Sequence, residues 1–261
     1  VALAGILLAL NFGSAMGWGN PAIIAGFVIG IVALVVLVKI EGKSAEPLIP
    51  LKLFKNSQYT VLLIVGFICY FYQSAMNVYA PIGAMKVMGA STSAAGALQM
   101  PRTIITIFLP TMAGVWVGKK ASNAWKAMVV GTLFVAVPMA VMGFTTPSTS
   151  IIIYFVALTI TGIAESCRSV AITPSAQATL QPADMGVGTS LVNFVNSLAN
   201  TIAATVFGVA YNLSTAADPT NVANIQNGVN SVFRLAAIVA VIGLVLVIFV
   251  VRPKMTAKKA E

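Results

Sequence analysis

Long apolar runs recur about every 30 residues along this chain, and that spacing limits what it can fold into more than any other feature. A run of about 18 or more apolar residues crosses the roughly 30 Å hydrocarbon core of a bilayer as a helix. Runs at 21–39, 58–81, 94–117, 126–144, 150–179, 187–212 and 230–251 predict seven such helices. Residues 1–12 are too short to span and are expected to be the end of a helix that begins upstream. Val1 is not an initiator Met and no basic flank precedes the apolar stretch, so a signal peptide is not indicated. With 59% hydrophobic and 8% charged residues, the chain has a bilayer, not water, as its natural solvent. It reads as an all-α polytopic membrane protein and as a fragment of a larger one.

The net charge of +9 invites a nucleic-acid reading, which the placement of the charges opposes. Lys39, Lys43, Lys52 and Lys55 share one loop, Lys119, Lys120 and Lys126 a second, and Arg252, Lys254, Lys258 and Lys259 the tail. If the runs alternate in direction, all three groups lie on one side, and the opposite loops hold only Lys86. The positive-inside rule then predicts a multi-pass protein of the cell membrane with a cytoplasmic C-terminus and no nucleic-acid partner. Cys69 and Cys167 fall inside spans and do not suggest a disulfide framework. His is absent, and there is no metal-ligand cluster, no paired carboxylates, no Ser/His/Asp set and no phosphate-binding glycine loop. Neither enzymatic catalysis nor a cofactor is expected.

The connections are short, which favours antiparallel neighbours. The longest inside loop, 39–57, contains Pro47 and Pro50, and its Leu48, Ile49, Leu51, Leu53 and Phe54 are expected to lie along the membrane surface. The longest outside loop is read as 213–229, rich in Asn, Thr and Ala. Gly26 with Gly30, and Gly114 with Gly118, form GxxxG pairs that allow helix backbones to approach. Pro81, Pro101, Pro110, Pro138 and Pro174 inside spans suggest kinks whose freed carbonyls need partners.

Within the spans the few polar residues form stripes. Residues at i, i+3, i+4 and i+7 share a helix face. Tyr70, Gln73, Ser74 and Asn77 have that spacing, as do Gln99, Arg102, Thr103 and Thr106, and Asn193, Asn196, Ser197 and Asn200. Thr161, Glu165, Arg168, Ser175 and Thr179 fall within about 80° on a wheel of about 100° per residue. Facing lipid would cost each polar group free energy, so these faces should turn toward one another or toward water. One reading is interhelical hydrogen bonding, worth about 0.6 kcal/mol per contact. Four stripes on four helices favour the other reading, a hydrated cavity for a small-molecule substrate.

Glu165 and Arg168 are the sharpest single residues. Glu165 lies about 24 Å from the outer end of its span, near the middle, where a charge is expensive and usually functional. Two readings stand: a proton or cationic-substrate site at Glu165, or an internal Glu165–Arg168 ion pair with a structural duty. Arg102 lies about 12 Å in from the outer end of its span, and the shared face with Gln99 and Thr103 favours a cavity role over snorkelling. Arg234 begins a nearly aliphatic span and reads as a snorkelling residue.

The order of these motifs resembles the C-terminal half of a fourteen-helix major facilitator superfamily transporter, of the drug:proton antiporter kind. Three stretches carry the likeness: Gly17-Trp18-Gly19-Asn20-Pro21 at the end of the first partial helix, Glu46-Pro47-Leu48-Ile49-Pro50-Leu51 followed by Leu53-Phe54-Lys55-Asn56, and Tyr79 to Pro101 with Pro81, Gly89, Ser91 and Gly96. The likeness covers essentially the whole chain. It implies that 58–251 form a six-helix second lobe and that 1–57 hold two linking helices and an inter-lobe loop, with 252–261 a cytoplasmic tail. It also implies alternating access against a missing N-terminal lobe. By that mapping 58–81 and 150–179 line the cavity. The loop Gly114-Val115-Trp116-Val117-Gly118-Lys119-Lys120 departs from the family by lacking the usual acidic residue, and Lys86 stands where Gln is common.

The resulting expectation is part of a secondary transporter that exports small amphiphilic compounds in exchange for protons, with lipid as its surroundings. A symporter, a uniporter, and a non-transporting sensor or scaffold of the same fold are the alternatives. The site residues expected in the cavity are Tyr70, Gln73, Ser74, Asn77, Arg102, Thr161, Glu165, Arg168, Asn193, Asn196 and Asn200, with Glu165 the proton-coupling candidate.

Overall fold

In the computed structural model, the residues described are scattered positions within 5–20, followed by 21–41, 51–120 and 122–257. The Glu46–Pro50 part of the inside-loop motif, Lys43, Trp18 and the last lysines of the tail lie outside them. Among the described residues every regular element is a helix. Helix α1 is Pro21–Glu41, and a 3-10 turn covers Leu51–Lys55. Among the described residues six helices are long and apolar enough to cross a membrane, against the seven runs of the sequence, and α1, over the run at 21–39, is not one of them. They are α2 Ser57–Val87, α3 Thr92–Lys119, α4 Ser122–Met142, α5 Ile151–Gln177, α6 Pro182–Thr215 and α7 Val222–Thr256.

Apart from α5, the spans are longer than the apolar runs suggest, because polar residues with local partners extend them. Asn221 caps α7 by accepting from the Ala223 and Asn224 amides, so the last helix starts eight residues before the run at 230. The outside loop expected over 213–229 thereby shrinks to the few residues between Thr215 and Val222. Asn56 does the same for α2, accepting from the Gln58 and Tyr59 amides at 3.1 Å each. Its amide group also donates to the Thr179 carbonyl at 2.9 Å, fastening the start of α2 to the end of α5. Leu53, expected on the membrane surface, is buried in the core, whereas Phe54 is exposed.

Pro81 has no N–H to give to the preceding turn. Helix α2 accommodates it with wide turns on either side, Ala75–Tyr79 and Gly83–Val87, instead of breaking. Asn77 sits in the first of these. Pro101 is one residue past the start of the main segment of α3, where a missing N–H costs nothing.

Helix α5 packs against α3, α4 and α2, while α7 packs against α4, α6 and α2. Buried side chains form two clusters. One holds Tyr72, Met76, Met139, Tyr154, Phe207 and Phe233; the other, nearer the lysine-rich end, holds Tyr59, Leu62, Val65, Met128, Ile172 and Val192. The Tyr59 hydroxyl donates to the Gly188 carbonyl at 2.7 Å, and a Lys52–Asp184 ion pair of 2.8 Å and a Lys254–Ser57 hydrogen bond close that end.

The Gly26–Gly30 pair brings backbones together, since a Cβ on Gly5 would lie 2.9 Å from the Gly26 carbonyl oxygen and 3.2 Å from Gly30 Cα. Glycines outside the two GxxxG pairs do the same between the spanning helices. A Cβ on Gly162 of α5 would lie 3.0 Å from the Arg102 carbonyl oxygen of α3, and one on Gly131 of α4 would lie 3.1 Å from the Ala164 carbonyl oxygen. Gly26 does approach the preceding segment at Gly5 and Ala9. Gly118 faces open space and Gly114 has only an ordinary contact with Val170, so that pair brings no backbones together. Where Gly162 and Gly131 bring the backbones together, the charged residues of the spans meet.

Candidate functional site

The site lies where the two apolar clusters meet, and its side chains come from α2, α3 and α5. Glu165 is its centre. Arg102 reaches across from α3 and donates to Glu165 Oε2 from Nη2 at 2.6 Å and from Nε at 3.1 Å. Arg168, one turn along α5, places Nη2 3.6 Å from Glu165 Oε1. The carboxylate is thus held between two guanidiniums, and the trio carries a formal charge of +1.

Each guanidinium is also held by α2. The remaining nitrogen of Arg102, Nη1, donates to Asn77 Oδ1 at 3.1 Å and to Gln99 Oε1 at 3.3 Å. Gln99 in turn donates to the Met76 carbonyl at 3.0 Å, so its orientation is fixed from both ends. Arg168 Nη1 donates to the Cys69 carbonyl at 2.6 Å and to the Tyr72 hydroxyl at 3.3 Å. The Tyr70 ring covers the Arg168 guanidinium at 3.7 Å, an arrangement in which the ring's negative face offsets some of the lost hydration. Arg168 Nε is buried with no partner among the described residues.

Burial separates the two arginines. The Arg168 side chain is 4% exposed, whereas Arg102 and Glu165 are 11% and 23% exposed and border open space. Arg168 is therefore a fixed buried cation, and Arg102 is the member with room to move. Desolvated charges of this kind persist only when paired and hydrogen-bonded, and nearly every polar atom here is.

The other expected site residues divide. Tyr70, Asn77, Arg102, Glu165 and Arg168 come together in this network. Gln73 is half-buried on the same side of α2, and Ser74 is buried. Thr161 is wholly buried and its hydroxyl donates to the Leu158 carbonyl of its own helix, a bond internal to α5. On α6, Asn193 and Asn200 are exposed, as are Ser190, Ser197 and Thr201, giving a polar face that the six helices do not cover. Asn196 turns inward, and its buried carbonyl oxygen lies opposite Gly66 with no partner among the described residues.

Sequence reasoning placed Arg102 and Glu165 in the cavity separately but did not pair them. The available signal was that Arg102 is the one charge inside its apolar run and Glu165 the one carboxylate inside any of the runs. A second polar group went unrecognised: Thr145, Gln226 and Asn230 form a buried set in which Gln226 and Asn230 both donate to the Thr145 carbonyl, at 3.0 and 2.8 Å. The four-residue spacing of Gln226 and Asn230 could have signalled it, had α7 been extended to include Gln226.

A membrane-spanning bundle with an ion-paired polar centre is the build of a solute transporter's lobe. The family model described as Major Facilitator Superfamily matches residues 1–204, and the chain belongs to that superfamily. It is 25% identical over 213 residues to the multidrug transporter protein MdtP of Bacillus subtilis, covering 81% of this chain and 39% of that protein. Multidrug resistance protein 3 of the same organism is 23% identical over 209 residues, 80% of this chain and 40% of the relative. The riboflavin transporter RibZ of Clostridioides difficile is 25% identical over 250 residues, 95% of this chain and 53% of the relative. The chain thus spans between about two fifths and about half of the length of these relatives.

Proposed function

We propose that this chain supplies the C-terminal lobe of a fourteen-helix secondary transporter that exports small amphiphilic compounds in exchange for protons. The observation that carries the reading is the Glu165 carboxylate shared between Arg102 and Arg168 within the spans. Relatives named for multidrug transport or resistance support the export of amphiphilic compounds, and their greater length supports a facing lobe. In this reading the membrane is the cell membrane and the lysine-rich end is cytoplasmic.

Glu165 neutralises one of two guanidiniums at the site. A proton on its carboxylate removes that compensation and leaves two cations side by side in a poorly hydrated place. Arg102 then leaves, because it is the less buried of the two guanidiniums, and its departure uncovers Asn77, Gln99 and the Tyr70 face for substrate. A cationic amphiphile that enters takes the proton's place at the Glu165 carboxylate, and when both are gone Arg102 returns and closes the site. Proton and substrate thus exclude each other at Glu165, which is what antiport by alternating access requires. The exposed polar face of α6, with Asn193 and Asn200, faces the pathway or the other lobe.

The test is efflux of ethidium, as a flat amphiphilic probe, from vesicles containing the full-length protein. Glu165→Gln is expected to abolish efflux driven by a proton gradient while retaining exchange of ethidium across the membrane without a gradient. Gradient-driven efflux at the wild-type rate in Glu165→Gln refutes the proposed coupling. The competing reading, a static Glu165–Arg168 pair, predicts that Glu165→Gln alters stability alone.

A further inference from the structure

A second polar depression lies away from the Glu165 site, where the α4–α5 connection meets α7 at the end opposite the lysine-rich loops. It has a volume of about 370 Å³, and its lining includes Gly143, Phe144, Gln226, Asn227, Asn230 and Arg234. The α7 members recur at i, i+1, i+4 and i+8 from Gln226, which puts them on one side of that helix.

Arg234 is the only charge among the described residues that line this cleft. Its Nε donates to the Gly143 carbonyl at 3.0 Å, and its guanidinium lies over the Phe144 ring at 5.5 Å. These contacts aim the side chain, while its two terminal nitrogens bond to none of the described residues. Gly143 is what permits this seat, because a Cβ there would fall 2.8 Å from Arg234 Cγ. Four donor N–H groups are therefore held in a fixed fork at an open cleft. A fork of that shape matches a phosphate oxygen pair.

Depth decides which phosphate. Arg234 and Arg252 of the same helix are 18 residues apart, about 27 Å along its axis, slightly less than the hydrocarbon thickness. Each stacks on an aromatic ring, Arg252 over Trp125 at 5.1 Å. Arg234 thus stands at one boundary between hydrocarbon and headgroups. Phe144 beside it is 73% exposed, an apolar side chain presented at the same level. The helix residues flanking the same connection, including Val137, Val141, Ile152 and Val156, wall a groove of about 230 Å³ between α4 and α5. A phosphate at Arg234 with hydrocarbon along that groove describes a phospholipid, not a soluble anion.

We propose that this cleft is a binding site for the headgroup of an anionic phospholipid, with the phosphodiester on the Arg234 guanidinium and the rest of the headgroup against Asn227. A net negative headgroup is preferred because the cleft has no carboxylate to meet the ammonium of a zwitterionic one.

Phe144→Trp provides a reporter at the site; the contribution of Trp18, Trp116 and Trp125 is subtracted using the chain that retains Phe144. The full chain is reconstituted in vesicles containing either brominated phosphatidylglycerol or brominated phosphatidylcholine at equal mole fraction. Quenching of the reporter is expected to show about fivefold tighter association with the glycerol lipid, the size expected of one Arg at an anionic surface. Arg234→Gln in the same background is expected to remove that preference, while Arg234→Lys keeps part of it and checks that the fold is intact. Equal quenching by the two lipids, or a preference that survives Arg234→Gln, overturns the proposal. So does loss of the preference on adding millimolar inorganic phosphate, which identifies a soluble-anion site.

Discussion

Glu165, Arg102 and Arg168 differ in what each has to lose. Truncating Arg102 leaves Glu165 with a longer contact to Arg168 and sets Asn77 and Gln99 free. Because Arg102 and Glu165 border open space, water partly replaces the lost bonds, and Arg102→Ala is expected to destabilise the protein by about 1–3 kcal/mol. Arg168→Ala is expected to cost more, about 3–5 kcal/mol, since Arg168 is itself buried, Glu165 and the Cys69 carbonyl lose a partner and a void opens beneath Tyr70. Thermal unfolding in detergent compares the two; a larger loss for Arg102→Ala contradicts the assigned roles. A double-mutant cycle with Arg102→Gln and Glu165→Gln should give a coupling of about 1–3 kcal/mol, whereas additive effects would mean the pair is not formed in the membrane.

The helices show what was legible in the sequence and what was not. Apolar runs located every spanning helix, because crossing a bilayer demands a continuous apolar length whatever the neighbours. The faces of α2 and α3 were also legible, since Tyr70 and Asn77, and Gln99 and Arg102, follow the helical repeat. Which charge answers which was not. Arg102 and Glu165 are 63 residues apart, and their meeting depends on the rotation and depth of α3 and α5, set by the bare Cα of Gly162. Thr161 follows the same repeat as Glu165, but its short hydroxyl satisfies itself on its own backbone. Gly162→Val should therefore push α3 from α5 and break the Arg102–Glu165 pair, with a cost of about 1–3 kcal/mol from overpacking. Gly118→Val, in open space, should be nearly neutral, and equal losses at the two glycines would contradict the packing. At the α6–α7 turn, the Thr220 hydroxyl and amide donate to Asp218 at 2.7 and 2.9 Å and hold its carboxyl below its ordinary value. A depressed folded pKa stabilises the turn above the unfolded value of about 3.9 and loses that contribution as pH falls through the folded value. Hydrogen-exchange protection in 216–221 should be constant from neutral pH down to about 4 and fall only below it.

At the scale of the whole molecule, the six helices bury one side of the polar site and leave the other open. Asn193 and Asn200 point away from the bundle, as does the exposed apolar face of α3 that carries Ile104, Ile107, Phe108 and Met112. A polar face on α6 is poorly suited to lipid, so in the full-length protein it should meet water or the other lobe. In a background with Cys69 and Cys167 replaced by Ala, Asn193→Cys and Asn200→Cys should react with a membrane-impermeant thiol reagent, and a bound amphiphile should protect them. Asn196→Cys, which turns into the packed interior, should stay unreactive; the reverse order would mean α6 is rotated from its place here.

The central claim is that a proton on Glu165 and the departure of Arg102 are one event. It is tested most directly by proton release when ethidium binds to the purified full-length protein in weakly buffered detergent solution, read with a pH-indicator dye. The account predicts proton release on ethidium binding that approaches about one proton per bound ethidium as the pH is lowered, as the cationic probe displaces the proton. Glu165→Gln and Arg102→Gln should abolish and diminish that release respectively. Undiminished proton release in Glu165→Gln would contradict the account and move the coupling to another residue.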